Sequence, residues 1–109
     1  MEIKKELIDD TLTLALSGRL DAVTAMELDK ELQTLLNGVK NLVFDFAEVE
    51  YVASAGLRIM LKTQKRMDKQ GSMEIKNVSE NVREVFDMTG FSNFLNIEEV
   101  KKKKLSISF

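Results

Sequence analysis

Apolar and polar residues alternate strictly through Thr11-Leu12-Thr13-Leu14-Ala15-Leu16-Ser17, the period-two signature of a strand that turns its leucines to a core. Ile3 to Ile8 carries a weaker form of the same signal, and Asp9-Asp10 between the two runs is turn chemistry, so an antiparallel hairpin is expected at the N-terminus. Gly18-Arg19-Leu20-Asp21 breaks the alternation. From Ala22 to Leu36 the period changes: Val23, Met26, Leu28, Leu32, Leu35 and Leu36 recur at helical spacing, with Asp21 or Thr24 placed to cap the start and Asn37-Gly38 to stop the end.

The same strand-then-helix sequence recurs twice more. Leu42-Val43-Phe44-Asp45-Phe46 reads as a strand, and Leu57, Met60, Leu61, Gln64 and Met67 mark the inner face of a second helix. Gln70-Gly71-Ser72 interrupts, Met73 to Val78 reads as a strand, and Ser79 opens a third helix with Val82, Val85, Phe86 and Met88 on its apolar face. Gly90 ends that helix, and Phe94-Leu95-Asn96-Ile97 is expected to form one more strand. Leu105-Ser106-Ile107-Ser108-Phe109 alternates cleanly and fits either an edge strand or a tail, so residues 100–109 stay open. The order β-β-α-β-α-β-α-β implies right-handed crossovers after the hairpin. The expected fold is therefore α/β: one domain over 1–109, a mixed, mostly parallel sheet with an N-terminal hairpin, and about three main helices.

Composition narrows the function more than the fold. A chain of 109 residues builds one core, and its 44% hydrophobic and 31% charged content belongs to a globular domain rather than a disordered one. A net charge of -2 offers no general attraction to nucleic acid, and the basic run Lys101 to Lys104 has no aromatic interleaved, as in a solvated turn or tail. The first residues lack the apolar centre of a signal peptide and no stretch is long enough to span a bilayer, so no membrane role and a cytoplasmic address are expected.

The absence of cysteine removes disulfides and thiolate metal sites, and the absence of histidine removes the commonest general base and zinc ligand. A Ser-His-Asp hydrolase cannot be built from this chain. Asp45, Glu48 and Glu50 have the chemistry of an acid-base pair or a hard-cation site, but no second cluster completes one, so they are expected to be a polar strand end and loop. No catalytic residue, metal or cofactor is expected.

Ser54 remains. It lies in Tyr51-Val52-Ala53-Ser54-Ala55-Gly56-Leu57-Arg58, between a strand pattern and a helix pattern, at or beside a helix N-cap. A serine there can bond the first free helix amides, and a phosphate there would face the positive end of the helix dipole. Gly56 costs helix propensity but permits another backbone or a phosphate to approach closely. Arg58, four residues after Ser54 on the same helical face, is placed to pair with such a phosphate.

Three segments together resemble one family, the STAS domain, and within it the freestanding anti-sigma factor antagonists of bacteria. They are Gly18-Arg19-Leu20-Asp21 before a helix, Asp45 leading through Tyr51-Val52 to Ser54-Ala55-Gly56-Leu57-Arg58, and Val82-Arg83-Glu84-Val85-Phe86 with Thr89-Gly90-Phe91. The resemblance implies a protein switch rather than an enzyme. The unphosphorylated antagonist would bind an anti-sigma factor serine kinase, which holds the ATP, and so release a sigma factor. Phosphorylation would end the interaction and a phosphoserine phosphatase would reset it. Carried onto this chain, Ser54 matches the phosphoacceptor, while Asp21, Thr24, Ala53, Ala55, Gly56, Leu57 and Arg58 fall on the implied partner-binding surface. Where members often have an aspartate before the acceptor, this chain has Ala53. The alternatives are a STAS module that senses a small ligand or scaffolds a larger assembly without being phosphorylated, and a small carboxylate enzyme.

Overall fold

The computed structural model describes residues 1–99. The N-terminal hairpin pairs β1 (Glu2–Ile8) with β2 (Thr11–Leu20), antiparallel, and Asp9 takes the left-handed conformation (φ 57°) that aspartate tolerates at such a turn. There follow α1 (Ala22–Leu35), β3 (Asn41–Val52), α2 (Ser54–Gln70), β4 (Ser72–Val78), α3 (Glu80–Met88), a 3-10 turn (Phe91–Asn93) and β5 (Ile97–Glu99). The strands lie in the order β1-β2-β3-β4-β5, and every pairing after the hairpin is parallel. The expected α/β class and mixed sheet are what the chain adopts.

Each parallel crossover steps one strand in the same direction, so right-handed connections lay all three helices on one face of the sheet. Burial follows that division. Leu12, Leu14, Leu16, Phe44, Phe46 and Ile75 are buried under the helices, while Thr11, Thr13, Ala15, Val43, Asp45 and Lys76 alternate with them, half-buried, on the open face. Phe46 meets Phe44 edge-on at 6.2 Å between ring centroids and Phe86 of α3 at 6.4 Å, tying sheet to helix; truncating Phe86 to alanine would cost about 3–5 kcal/mol. The seam between α1 and α2 is polar. Lys62 pairs with Asp29 at 3.1 Å, and Gln70 donates to the Leu36 and Val39 carbonyls at 2.7 and 2.8 Å, tying the end of α2 to the turn that follows α1.

The strands run further than the alternation indicated. β2 continues through Gly18 to Leu20, and β3 continues past Phe46 to Val52, so Glu48 and Glu50 belong to a strand rather than a loop. Along the ladder, Ala15 faces Asp45, Ser17 faces Glu48 and Arg19 faces Tyr51, so the sequence offset between partners grows from 30 to 31 to 32. β3 therefore carries two extra residues, two bulges. Each one resets which side chain points inward, and the buried positions after Phe46 fall three apart, at Val49 and Val52.

The helices also differ from expectation in detail. Val23 and Met26 are 66% and 74% exposed, and α1 buries Ala25 beside the expected Leu28 and Leu32. Leu61 is half-buried, while Thr63 and Gln64 complete the inner face of α2, the Thr63 hydroxyl donating to the Ile59 carbonyl at 2.7 Å. Met88 is 83% exposed at the end of α3. The strand expected at Phe94 starts only at Ile97, because Gly90 (φ 79°) leads into the 3-10 turn and leaves Phe94 at the surface. Lys101 to Lys104 and Leu105 to Phe109 lie outside the described residues.

Candidate functional site

Parallel strands discharge their connections at one end of the sheet, and the β2–α1 and β3–α2 connections meet there side by side. The amide of Ala53 donates to the carbonyl of Leu20 at 2.9 Å, locking the two strand ends together. Gly56 completes the junction. A Cβ at this position would stand 2.8 Å from Leu20 Cγ and 2.9 Å from the Leu20 carbonyl oxygen, so the glycine is what lets the first turn of α2 rest on the end of β2. The close approach expected at Gly56 is thus made by backbone.

On the β2 side, Asp21 is the N-cap of α1. Its carboxylate accepts from the amides of Val23 and Thr24, both at 3.1 Å, while the Thr24 hydroxyl accepts from the Asp21 amide at 2.8 Å and donates to the Arg19 carbonyl at 2.7 Å. This reciprocal box fixes the direction in which α1 leaves the sheet. The Asp21 carboxyl is held below its ordinary pKa by the Thr24 amide first, next by the Thr24 hydroxyl, whose oxygen also lies 3.1 Å from the carboxylate, then by the Val23 amide and the charge of Arg19, against some desolvation.

On the β3 side, the N-cap of α2 is Ala53, extended (φ -88°, ψ 171°), whose methyl group has nothing to offer the free amides. Ser54 is the first helical residue, beside the N-cap as expected, but its side chain makes no capping bond to the helix amides. Its side chain is exposed, and its hydroxyl has no hydrogen-bond partner among the described residues. Ala55 is half-buried against the core and Leu57 is buried, so they anchor the turn rather than face outward. Arg58 is exposed and makes no ion pair or hydrogen bond among the described residues.

The structure adds residues that the pattern of the chain did not nominate. The Arg19 guanidinium lies 4.3 Å above the centre of the Tyr51 ring, an arrangement that exists only because the second bulge brings these two residues into register. Val23 and Met26 project from the first two turns of α1. The available signal was an excess: Val23 and Met26 together with Leu28, Leu32, Leu35 and Leu36 cover more of a helix than one buried stripe needs.

This end of the molecule presents Ser54, Arg58, Val23 and Met26 as exposed side chains. Among the described residues no group of three or more acidic, histidine or cysteine side chains could hold a metal ion. Asp45 is spent on bonds to Ala47 and Asn77, away from Glu48 and Glu50. No helix of the described residues is long and apolar enough to cross a membrane.

Comparison with known proteins agrees with the architecture. The family model described as STAS domain matches residues 2–103. BtrV of Bordetella bronchiseptica, provisionally assigned as an anti-sigma factor antagonist, is 32% identical over 93 residues, which span 84% of this chain and 80% of that protein. The anti-sigma-B factor antagonist of Bacillus subtilis is 29% identical over 90 residues, 82% of this chain and 83% of its own. Among solved structures, the anti-sigma factor antagonist SpoIIAA in its unphosphorylated form superposes with a TM-score of 0.78 at 19% identity, over 94% of this chain and 91% of that one. The phosphorylated form of SpoIIAA, a Bacillus cell fate determinant, gives 0.71 at 18% identity, over 94% of this chain and 95% of that one.

Proposed function

The chain belongs to the STAS domain family, and on that footing we propose that it is an anti-sigma factor antagonist switched by phosphorylation of Ser54. Unmodified, the surface around Ser54 binds an anti-sigma factor that is itself a serine kinase carrying its own ATP, and this binding frees a sigma factor. The kinase then transfers a phosphoryl group to Ser54 and the complex parts; a phosphoserine phosphatase restores the hydroxyl. The observation that carries the reading is the state of Ser54: exposed, first in α2, with its hydroxyl unspent among the described residues. The similarity of the chain to the anti-sigma-B factor antagonist of Bacillus subtilis supports it.

In the transfer, the Ser54 oxygen bonds to the γ-phosphorus as the bond to ADP breaks. The hydroxyl proton passes to a base of the kinase, since this chain has no histidine and, among the described residues, places no carboxylate in hydrogen-bond contact with Ser54. The phosphate adds about 1.5 to 2 negative charges at neutral pH. The fold tolerates them, because the free amides at the start of α2 and its dipole stabilise an anion there. A partner packed over the same spot must bury the dianion or face it with charge of its own, at a cost of several kcal/mol if it stays unpaired. Switching then follows from surface charge, with the backbone nearly unchanged.

The test is to incubate the protein with a candidate anti-sigma kinase and ATP, then measure intact mass and capture for wild type and Ser54→Ala. One added phosphate is expected on wild type and none on the variant. Ser54→Asp and Ser54→Glu should bind the kinase more weakly with little change in thermal stability. Phosphate on another residue, or full binding by the acidic variants, would sink the switch at Ser54. Binding with no phosphate added would favour a module that scaffolds or senses without being modified.

A further inference from the structure

We infer that Arg58 has two alternative anionic partners, a carboxylate of the bound protein while Ser54 is free and the phosphate once Ser54 is modified, so that modification withdraws a cation from the docking surface as well as adding an anion. The inference rests on the reading of Ser54 as the phosphoacceptor.

The chain has four arginines, and three are committed. Arg19 lies over Tyr51, Arg66 bonds Asn37 at 3.0 Å and reaches the Leu32 and Gln33 carbonyls, and Arg83 pairs with Asp87 at 3.2 Å. Arg58 alone has no such partner among the described residues, and it is exposed. It is also the one cation in the first two turns of α2, since Lys62 in the next turn is held by Asp29. That first turn carries no acidic residue. Along the start of α2 the Arg58 charge therefore has no acidic neighbour on its own helix, which leaves it available to a carboxylate on the partner.

Ser54 and Arg58 are four residues apart on one helix, with the prospective anion on the N-terminal side, the favourable order for an ion pair along a helix. A guanidinium offers a phosphate two parallel N–H donors. Once the phosphate takes them, a partner carboxylate meets a dianion and finds no cation. The loss of binding on modification then has two parts, and only one of them is repulsion.

Two measurements judge this. Phosphoserine placed at position 54 during translation, without any kinase, allows the phosphate to be titrated by 31P NMR in otherwise wild-type protein and in Arg58→Ala and Arg58→Lys. The phosphate pKa is expected roughly 0.5 unit lower with Arg58 than with alanine, lysine falling between, and the difference should shrink in high salt. Equal pKa values with arginine and alanine would overturn the clamp. In the second arm, unmodified Arg58→Ala should bind the anti-sigma kinase about tenfold more weakly than wild type. Unchanged affinity would overturn the partner half of the inference. If wild type itself binds no such kinase, the reading of the protein as an antagonist fails together with that half, while the NMR titration still decides the clamp.

Discussion

The carboxylate of Asp45 holds Asn77 across the β3–β4 boundary, accepting its side-chain amide at 3.0 Å and, through the same oxygen, the backbone amide of Ala47 at 3.0 Å. Ala47 lies where β3 first slips in register against β2, and Asn77 takes a left-handed backbone (φ 60°) near the end of β4. One side chain thus secures the irregular stretch of two strands that lead toward the site. Asp45→Ala should lower stability by about 1–2 kcal/mol, because two donors lose a charged acceptor at a half-exposed position, and Asp45→Asn by less. Urea unfolding monitored by circular dichroism measures both. A loss below about 0.5 kcal/mol for alanine would mean that water serves these donors equally well.

How far the chain could be read in advance depends on where its periods are regular. Thr11 to Ser17 and Leu42 to Phe46 alternate cleanly, and their pairing in a mixed sheet followed from the alternation. Beyond Phe46 the buried residues are Val49 and Val52, a spacing of three that belongs to neither a plain strand nor a helix, so the bulged half of β3 read as a loop. Bulges depend on what the neighbouring strand offers, which local sequence does not state. Val23 and Met26 were misread for the opposite reason: they fit a helical stripe, but the sheet admits only the stripe of Ala25, Leu28 and Leu32. The placement of Asp21, Ser54, Gly56 and Arg58 at strand-to-helix junctions was legible in the sequence, whereas their roles are not decided by placement. The Arg19–Tyr51 contact was not legible, because it depends on the second bulge.

Gly56→Ala sets helix propensity against packing. Alanine should gain about 1 kcal/mol as a helix former, but its methyl carbon would come within 3 Å of Leu20, including the carbonyl oxygen that already accepts from Ala53. Overpacking against backbone costs about 1–3 kcal/mol and cannot be relieved by a rotamer change. A net loss near 1 kcal/mol is expected in chemical unfolding. A variant as stable as wild type would show that the start of α2 slides freely on β2.

Acid should weaken the junction in a defined window. The carboxyl of Asp21 is held below its ordinary pKa by Thr24, and that of Asp87 by the Ser92 hydroxyl and Arg83. A lowered folded-state pKa means stabilisation that is complete above the unfolded value of 3.8 and is lost as pH falls through the folded value below it. Asp21→Ala should therefore melt below wild type at neutral pH, with the gap constant well above pH 3.8 and closing as pH falls below it. Thermal unfolding across that range measures it. A gap that stays constant to the acid end would place the contribution of Asp21 outside its charge.

Val23 and Met26 separate folding from recognition. They are among the most exposed apolar side chains of the described residues, and they stand on the first two turns of α1, Val23 within the Asp21–Thr24 box and Met26 just after it, at the same end of the sheet as Ser54. Replacing them with Ser and Gln removes almost no buried area, so stability should stay within about 0.5 kcal/mol of wild type. If this end docks an anti-sigma factor, the same double variant loses apolar contact at the interface and should bind about tenfold more weakly or worse. Met88 provides the control. It is 83% exposed but sits where α3 has run back to the opposite end of the sheet, so Met88→Gln should change neither stability nor binding. Calorimetric titration of the three proteins against the kinase distinguishes the outcomes. Equal affinity for wild type and the Val23/Met26 variant would confine the docking surface to the Ser54 turn, whereas weakened binding by Met88→Gln would move it to the other end of the molecule.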